Sequence, residues 1–424
     1  MKKRKILIHG TADSLQQFFV DKVSNDFEIV AILSDDDISS KFEVFTLQNL
    51  PKFVYELVAG IILTNPSGFL VKYFLKLGIE PRKIILWDAK EGWGTFNLPN
   101  SDGIQVIHFC GLEFHIRNEE DVKFFNETHW RLQRQRGIKN LNQQRYPEFL
   151  SKEFQQRLGR SLDLNNPKNL TEKLQWLKLF DSTPIKSRLA DKYAVRSWIA
   201  EKIGDEYLIP LLGVWNSFDD INFDDLPDQF VLKCNHGAGM NIIVRDKKNF
   251  DVQNAREKIN AWLAYNFAVG SLELHYARID RKIIAEKFFA NGDLPDLIDY
   301  KFWCFDGKPV LVQCETDRST DLRFDYFDMN FNHTNIERSD HKLSDHPEKI
   351  PKPKNFELMK KLAATLAEGF AFVRVDFYEI DGKVYFGEMT FVPVSGYHKY
   401  KSKGTDEYLG SLLKLPKPTP PPEL

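Results

Sequence analysis

Residues 372–391 alternate apolar and charged side chains around a central Asp-Gly pair. Because alternate side chains of a strand point to opposite faces, this pattern predicts a β-hairpin. A two-residue turn would set Glu388 on the face opposite Asp376, whereas a three-residue turn that begins at Ile380 would pair Glu388 with Arg374. We predict the three-residue turn, because it gathers the apolar residues on one face. Those apolar residues are Val373, Val375, Phe377, Tyr385, Met389 and Phe391.

The predicted register also brings Arg374, Asp376, Glu388 and Thr390 to the other face of the hairpin. A guanidinium group and two carboxylates that converge in this way are costly to bury unless a ligand binds between them. Hard oxygen ligands of this kind suit Mg²⁺ that carries nucleotide phosphates. A surface hairpin with ordinary ion pairs is the alternative interpretation of this segment taken alone.

The composition excludes several classes of protein. The chain has 424 residues, which favours two or three domains, and its 58 basic and 60 acidic side chains give no bulk attraction to nucleic acid or to an anionic membrane. No apolar run approaches the ~18 residues of a membrane span, and the basic N-terminus leads into a strand-like segment rather than a signal peptide. The four cysteines form no CxxC pair, so we expect free thiols and a cytoplasmic protein.

The pattern along the chain predicts an α/β domain followed by an α+β domain. Residues 1–130 alternate continuous apolar strands with helices, which is typical of a parallel sheet covered on both faces, so we predict a Rossmann-like domain. Its first turn lacks the three spaced glycines of a dinucleotide site, and a sugar-nucleotide or scaffold role is favoured over bound NAD. Residues 131–160 are predicted to form a basic helical connector, residues 161–415 the second domain, and residues 416–424 a flexible proline-rich tail.

Lys233 stands at the end of a short apolar strand and is followed by the glycine-spaced loop 234–241. Glycines allow backbone N–H groups to approach phosphate oxygens, and the ammonium group neutralises their charge. The order differs from a Walker A loop, in which Gly-Lys-Ser/Thr follows the glycines. Two interpretations stay open here, a phosphate-binding loop and a tight turn.

Seven blocks of sequence together resemble a known superfamily. The blocks are residues 169–178, 190–192, 230–237, 284–286, 299–302, 374–378 and 386–391. In content and order they resemble the ATP-grasp superfamily. More closely, residues 150–415 are similar to its TupA-like family, the teichuronopeptide type found among surface-polysaccharide biosynthesis proteins. The resemblance implies an ATP-grasp fold, in which two α+β lobes clasp ATP together with Mg²⁺.

The resemblance also implies roles for individual residues by matching position. It implies nucleotide binding by Lys192, Lys233, His236, Gly237, Ala238, Gly239, Asn241, Glu286 and Lys301. It implies Mg²⁺ binding by Asp376, Glu388 and Thr390, and catalytic roles at the γ-phosphate for Arg374 and Lys233. Many members of the superfamily carry Asn at the position of Thr390, so this departure puts a second metal site in doubt.

The implied activity is that of an ATP-dependent carboxylate–amine ligase that forms an amide through an acyl phosphate. The family context implies small-molecule substrates, namely a uronic acid, free or nucleotide-linked, and an amino acid or small amine, for capsular polysaccharide. The predicted substrate contacts are Arg318, Arg323, Tyr397, His398 and Lys399. Two alternatives are a glycosyltransferase, for which the acidic run at 35–37 is the nearest match to a metal-binding Asp-x-Asp, and a non-catalytic nucleotide-binding protein.

Overall fold

The structure is a computed structural model. It describes residues 4–9, 27–33, 43–45, 60–63, 84–86, 105–139, 141–289, 297–317 and 320–422. Among the features of the sequence analysis, the acidic run at 35–37 and the predicted substrate residue Arg318 lie outside these ranges.

The described elements comprise strands and helices that we number in chain order. The strands are β1 (Arg4–His9), β2 (Phe27–Leu33), β3 (Glu43–Phe45), β4 (Gly60–Leu63), β5 (Ile84–Leu86), β6 (Gln105–Phe109), β7 (Leu112–Ile116), β8 (Leu211–Trp215), β9 (Phe230–Cys234), β10 (Asn241–Val244), β11 (Ile283–Lys287), β12 (Asp299–Phe305), β13 (Lys308–Thr316), β14 (Arg323–Asp328), β15 (Phe372–Ile380) and β16 (Lys383–Thr390). The α-helices are α1 (Glu119–Lys139), α2 (Tyr146–Leu158), α3 (Leu170–Phe180), α4 (Pro184–Ala190), α5 (Val195–Lys202), α6 (Val252–Ala264), α7 (Ala268–Ser271), α8 (Phe356–Ala367) and α9 (Lys403–Leu412).

The chain divides into two compact units. The first comprises Met1–Gln133 and Asp251–Ala264, and the second comprises Arg134–Phe250 and Tyr265–Leu424. The first unit contains a five-stranded sheet of order β3-β2-β1-β4-β5, in which every pair of neighbours is parallel. It also contains the β6–β7 hairpin. Glu257 on α6 accepts a hydrogen bond from the backbone N–H of His115 on β7 at 3.1 Å. The Rossmann-like assignment itself stays a prediction, because the segments that link β1 to β5 lie outside the described ranges.

The second unit contains two antiparallel sheets, as expected for an α+β domain. One has four strands in the order β10-β9-β11-β8, and the other has five in the order β14-β13-β12-β15-β16. Helix α8 packs on one face of the five-stranded sheet, where Phe302 lies 5.7 Å from Phe356 and 5.9 Å from Phe377 between ring centroids. Because side chains alternate along each strand, burying these rings leaves the charged residues of β12 and β15 on the opposite face.

The turn of the β15–β16 hairpin differs from the prediction. Ile380 pairs directly with Lys383, so the turn has two residues, and the predicted three-residue turn is wrong. Asp381 and Gly382 occupy the turn with φ of 51° and 73°. Both angles lie in the left-handed region that a tight turn of this twist requires, and Asp and Gly adopt it more readily than most residues.

A β-bulge then restores the predicted face. Phe377 pairs with Phe386 and Val375 pairs with Met389, so Asp376 stands opposite two residues, Gly387 and Glu388. The extra residue shifts the register by one and returns Glu388 to the face of Asp376. The shared face of the charged residues is therefore confirmed, although the pair of Arg374 is Thr390 rather than Glu388.

Because of the bulge, the apolar residues of β16 are distributed between the two faces of the hairpin differently from the prediction. On the turn side of the bulge, Phe386 packs against Phe377, with ring centroids 6.4 Å apart. Tyr385, expected on that apolar face, pairs with Tyr378 and packs instead on Phe289 at 4.8 Å. The prediction for Tyr385 is wrong because it assumes one register for the whole hairpin.

Candidate functional site

A cleft of about 260 Å³ lies between the two sheets of the second unit. Its walls carry residues from β9, β11, β12, β15 and β16 and from the segment between α4 and α5. Most of the residues predicted to bind nucleotide or metal line it together. These are Lys192, Lys233, Ala238, Gly239, Asn241, Glu286, Lys301, Asp376 and Glu388.

The side of the cleft formed by the five-stranded sheet is a buried cluster of acids around Lys301. Its Nζ donates a hydrogen bond to Asp376 Oδ2 at 2.9 Å and lies 3.6 Å from Glu315 Oε2 and 3.8 Å from Asp299 Oδ2. All four side chains are buried. Burial raises the pKa of Glu315, while the positive charge of Lys301 opposes the rise. One ammonium group among three carboxylates leaves an excess of negative charge.

Arg374 extends this cluster to β16. Its Nε donates to Asp376 Oδ1 at 2.8 Å and its Nη2 to Asp376 Oδ2 at 2.7 Å, which makes a bidentate pair. The same Nη2 donates to Glu388 Oε1 at 2.9 Å and to Thr390 Oγ1 at 3.0 Å. The bulge of the hairpin is what brings these four side chains within reach of one another.

Electrostatics keep Glu388 ionised. Burial alone would raise the pKa of its carboxyl, but the positive charges of Lys192, Arg374 and Lys301 outweigh burial and hold the pKa far below its ordinary value. For Arg374, burial is likewise opposed by the charges of Asp376 and Glu388, which raise its pKa. Both groups are therefore charged throughout the physiological pH range.

The four-stranded sheet contributes a second charged group to the cleft. Glu286 on β11 accepts a hydrogen bond from Lys233 Nζ at 2.6 Å and another from Arg196 Nη1 at 3.0 Å. One carboxylate thus lies between two cations, and the cations leave net positive charge on this wall. Burial lowers the pKa of Arg196, and Glu286 opposes that effect. This wall is suited to phosphate groups, whereas the opposite wall is suited to a cation.

The loop between β9 and β10 approaches Lys192. The Nζ of Lys192 donates to the Gly237 carbonyl at 2.6 Å and lies 3.6 Å from Glu388 Oε2. A Cβ atom at Gly237 would stand 2.6 Å from Phe267 Cδ2, so this position needs glycine for close packing. His236, also predicted to contact nucleotide, is buried and does not line the cleft.

The oxygen atoms of Asp376, Glu388 and Thr390 fit Mg²⁺. Asp376, Glu388 and Thr390 offer hard oxygen ligands, and Glu388 Oε2 is the least engaged, with Lys192 at 3.6 Å as its ion-pair partner. Within the described ranges, no group of three or more His, Cys, Asp or Glu side chains could hold a metal ion. Mg²⁺ is commonly bound by one or two carboxylates plus phosphate oxygens, which agrees with this geometry.

The predicted substrate residues lie apart from this cleft. Arg323 on β14 donates to the Leu343 carbonyl at 2.8 Å. Tyr397 and His398 are buried, and Lys399 is exposed. None of these four side chains lines the cleft described above, so their role in substrate binding stays a prediction.

Two charged residues that line the cleft, Arg196 and Asp299, were not predicted as site residues, nor was Glu315, which lies 3.6 Å from Lys301. Asp299 is two residues from Lys301, so strand alternation alone places both on one face, and this signal was available in the sequence. Glu315 pairs with Asp299 across β12 and β13. Arg196 comes from a separate helix, and only tertiary packing brings it to Glu286.

The comparisons with known proteins identify the class. A family model described as TupA-like ATPgrasp matches residues 172–414, which is more than half of the chain. This family consists of ATP-grasp ligases, which are ATP-dependent enzymes, and the antiparallel sheets of the second unit agree with that fold. The chain belongs to the TupA-like ATP-grasp family, as the sequence blocks predicted.

Three solved structures are similar to this chain at low identity. The D-alanine–D-alanine ligase of Bacillus anthracis is 14% identical over 92% of this chain and 88% of its own, with a TM-score of 0.28. The N5-carboxyaminoimidazole ribonucleotide synthetase of Thermus thermophilus is 9% identical over 91% and 71%, with a TM-score of 0.29. The ATP-grasp ligase PsnB, complexed with minimal precursor, Mg and ADP, is 10% identical over 92% and 90%, with a TM-score of 0.27. No curated protein sequence matches the chain.

The helices of the described ranges include none that combines the length and the apolar character needed to cross a membrane.

Proposed function

We propose that this protein is a carboxylate–amine ligase that joins a uronic acid, free or nucleotide-linked, to an amino acid or small amine for a surface polysaccharide. The observation that carries the proposal is that Asp376 and Glu388, both bonded to Arg374, line one cleft with Lys192 and Lys233. Converging carboxylates and cations match a triphosphate and its metal. The polysaccharide context rests on the family to which the chain belongs.

In this proposal, one set of residues binds the phosphates of ATP and another set binds the metal ion. Lys192, Lys233 and Arg374 would bind the phosphates and neutralise the charge that spreads over the γ-phosphoryl group during transfer. Asp376 and Glu388, with Thr390 beside them, would hold Mg²⁺, which supplies further charge neutralisation at the phosphate oxygens. The loop that contains Gly237 would close over the nucleotide and keep water away from the reactive intermediate.

The proposed reaction needs no nucleophile from the protein. An oxygen of the substrate carboxylate attacks the γ-phosphorus, the bond from this phosphorus to the β–γ bridging oxygen breaks, and ADP leaves. The amine nitrogen then attacks the carbonyl carbon of the acyl phosphate. Inorganic phosphate leaves, the nitrogen loses a proton and an amide is formed.

The remaining assignments are part of the same proposal. Residues 161–415 would be the ATP-grasp domain, and the parallel order of β1 to β5 supports a Rossmann-like domain over residues 1–130 that recognises the sugar or nucleotide portion. The supply of ATP favours the cytoplasm as the place of the reaction, and the buried thiols of Cys234, Cys304 and Cys314 suit a reducing compartment.

The test is an ADP-release assay with Mg²⁺ and ATP over a matrix of uronates, UDP-uronates and small amines. We expect ADP only for a particular acid–amine pair, and its loss in Asp376→Asn, whereas Lys414→Gln, an exposed residue outside the cleft, should keep full activity. ATP binding without ADP from any pair would favour the non-catalytic alternative. Transfer of sugar from a nucleotide without ADP would favour a glycosyltransferase.

A further inference from the structure

The second unit contains another cavity, of about 580 Å³, separate from the cleft. We name it the basic pocket. Its principal lining residues are Arg157, Arg160, His398, Lys399, Tyr400 and Lys403. The volume falls in the range that is typical of small-molecule sites in proteins, roughly 300–1,000 Å³.

Hydrogen bonds between the walls hold the basic pocket in shape. Arg160, just after α2, donates to Glu172 on α3 at 2.7 Å and to Asp406 on α9 at 2.9 Å. On another side, the backbone N–H of Ser339 donates to the Lys399 carbonyl at 2.7 Å. Three helices and two loop segments are thus tied together around the cavity, so it is formed before a ligand binds.

The charge of the basic pocket is unbalanced. Four cationic side chains line it against two carboxylates. Both arginines are already paired, since Arg160 is shared between Asp406 and Glu172 and Arg157 lies 3.9 Å from Glu153. Lys399 and Lys403 are exposed to solvent at the pocket. These two lysines face one further lining carboxylate, Glu407, and the positive charge that remains is suited to an anion.

Two residues that line the basic pocket carry buried polar groups without partners. His398 is only 3% exposed, and neither of its ring nitrogens, nor the Tyr400 hydroxyl, has a hydrogen-bond partner among the described residues. The two rings stack, with centroids 5.6 Å apart and an interplanar angle of 7°. Burial lowers the pKa of His398, and the charges of Arg338 and Arg374 lower it further, so the imidazole is neutral.

A neutral imidazole and a phenol each offer both a donor and an acceptor. The complementary group is a hydroxyl, which also donates and accepts, and sugars present several. Buried polar groups without partners are costly, so a ligand that supplies hydroxyls would gain from reaching them. His398 also contacts Trp303, with ring centroids 5.2 Å apart, and Trp303 pairs with Arg374 across β12 and β15.

We propose that the basic pocket binds an anionic saccharide, as the part of the substrate acid remote from the reacting carboxylate. This identification of the ligand with the substrate rests on the proposed ligase function. Lys399 and Lys403 would contact the anionic groups, while His398 and Tyr400 would bind sugar hydroxyls. The anion is either the diphosphate of a nucleotide sugar or the carboxylates of an acidic oligosaccharide.

Calorimetric titration without ATP tests the proposal on the full chain. The probes are UDP-glucuronate, UDP and a tetragalacturonate, and the variants are the double change Lys399→Gln with Lys403→Gln, the single change His398→Phe, and Lys414→Gln as the matched control. We expect the double variant and His398→Phe each to weaken saccharide binding about tenfold or more, and the control to bind like the wild type. ATP affinity should be unchanged in all of them, which shows that the fold is intact.

The pattern of binding distinguishes the two sources of the anion. Binding of UDP and UDP-glucuronate with loss in the double variant identifies a nucleotide sugar, whereas binding of the tetragalacturonate alone identifies an acidic glycan. Absence of binding by all three probes, or equal affinities in wild type and pocket variants, would overturn the proposal. Failure of the ligase function is seen separately, as saccharide binding that depends on the pocket but yields no ADP with any amine.

Discussion

Arg374 makes a bidentate ion pair with Asp376, two residues further along the same strand, at 2.8 Å and 2.7 Å. Its Nη2 atom also bonds Glu388 and Thr390 on the neighbouring strand. One guanidinium group therefore fixes the relative positions of both carboxylates and of the hydroxyl. Lys301 supports Asp376 from the other side at 2.9 Å. The candidate metal ligands are thus held in place by the protein itself, which reduces the rearrangement needed when ligand binds.

Glu388→Gln should raise the Mg²⁺ requirement of the enzyme. The substitution removes a charge from the oxygen ligands but keeps the shape of the side chain, and it leaves Lys192 and Arg374 without that carboxylate. We expect the Mg²⁺ concentration for half-maximal ADP formation to rise at least about tenfold, and the maximal rate to fall. Glu357→Gln, an exposed position, is the matched control. An unchanged Mg²⁺ dependence would remove Glu388 from the metal site.

Lys233→Met should weaken ATP binding with little loss of stability. The substitution removes the ammonium group that bonds Glu286 at 2.6 Å, but Arg196 remains paired with that carboxylate at 3.0 Å. We expect the Kd for ATP to rise about tenfold or more and the melting temperature to change little. Lys282→Met, at a lysine outside the cleft, serves as the control. Wild-type affinity in Lys233→Met would show that this lysine does not contact the nucleotide.

Gly237→Ala should disturb the loop between β9 and β10. Its Cβ would meet Phe267 Cδ2 at 2.6 Å, which is too close for either atom to keep its place. We expect weaker ATP binding and a stability loss of about 1–3 kcal/mol, measured by calorimetry and urea unfolding. Phe267→Leu in the same chain should restore part of both quantities by making room. Gly404→Ala, where the nearest atom is Ser402 Oγ at 3.6 Å, should be close to neutral.

His275→Phe should reduce the loss of stability in acid. Burial lowers the pKa of His275 from 6.5 to about 3, and the charges of Lys186 and Lys178 contribute. Between these two values the unfolded chain binds a proton that the folded chain does not, so stability falls as pH decreases. We expect wild type to lose about 2–3 kcal/mol more than the variant between about pH 7 and pH 4.5, measured by urea unfolding.

Phenylalanine is a suitable replacement for His275, because the imidazole already packs among aromatic rings. Its centroid is 4.3 Å from that of Tyr276 and 5.9 Å from that of Phe391. If wild type and His275→Phe lost stability in parallel on acidification, His275 would not be the group responsible.

Strand alternation was sufficient to predict which face of the hairpin carries Arg374, Asp376 and Glu388. It was insufficient for the turn, because a chain with Ile-Asp-Gly can form either a two-residue or a three-residue turn. In the sequence, the main sign of the bulge is Gly387. A Cβ at this position would come within 3.1 Å of the Asp376 carbonyl oxygen. The shared face of the charged residues was therefore predicted correctly from an incorrect register, whereas Tyr385 was predicted on the wrong face.

Tertiary packing determines the contacts that the sequence analysis did not predict. Arg196 reaches Glu286 from helix α5, 90 positions away along the chain, and no local pattern relates them. Tyr397 and His398 belong to a polar segment that suggests substrate contacts near the cleft, but both side chains are buried. His398 instead faces the basic pocket, whose walls come from α2, α9 and the segment around Ser339.

The bulge at Gly387 gives the hairpin two independent registers, which matters for recombination between related proteins. Residues on the turn side, from Tyr378 to Tyr385, are aligned by the turn itself. Residues beyond the bulge, including Glu388 and Thr390, are aligned by the extra residue and by Arg374. A chimera that exchanges the tip between Tyr378 and Tyr385 therefore leaves the half with the candidate metal ligands in register. A crossover that omits Gly387 instead changes which residue of β16 stands opposite Asp376.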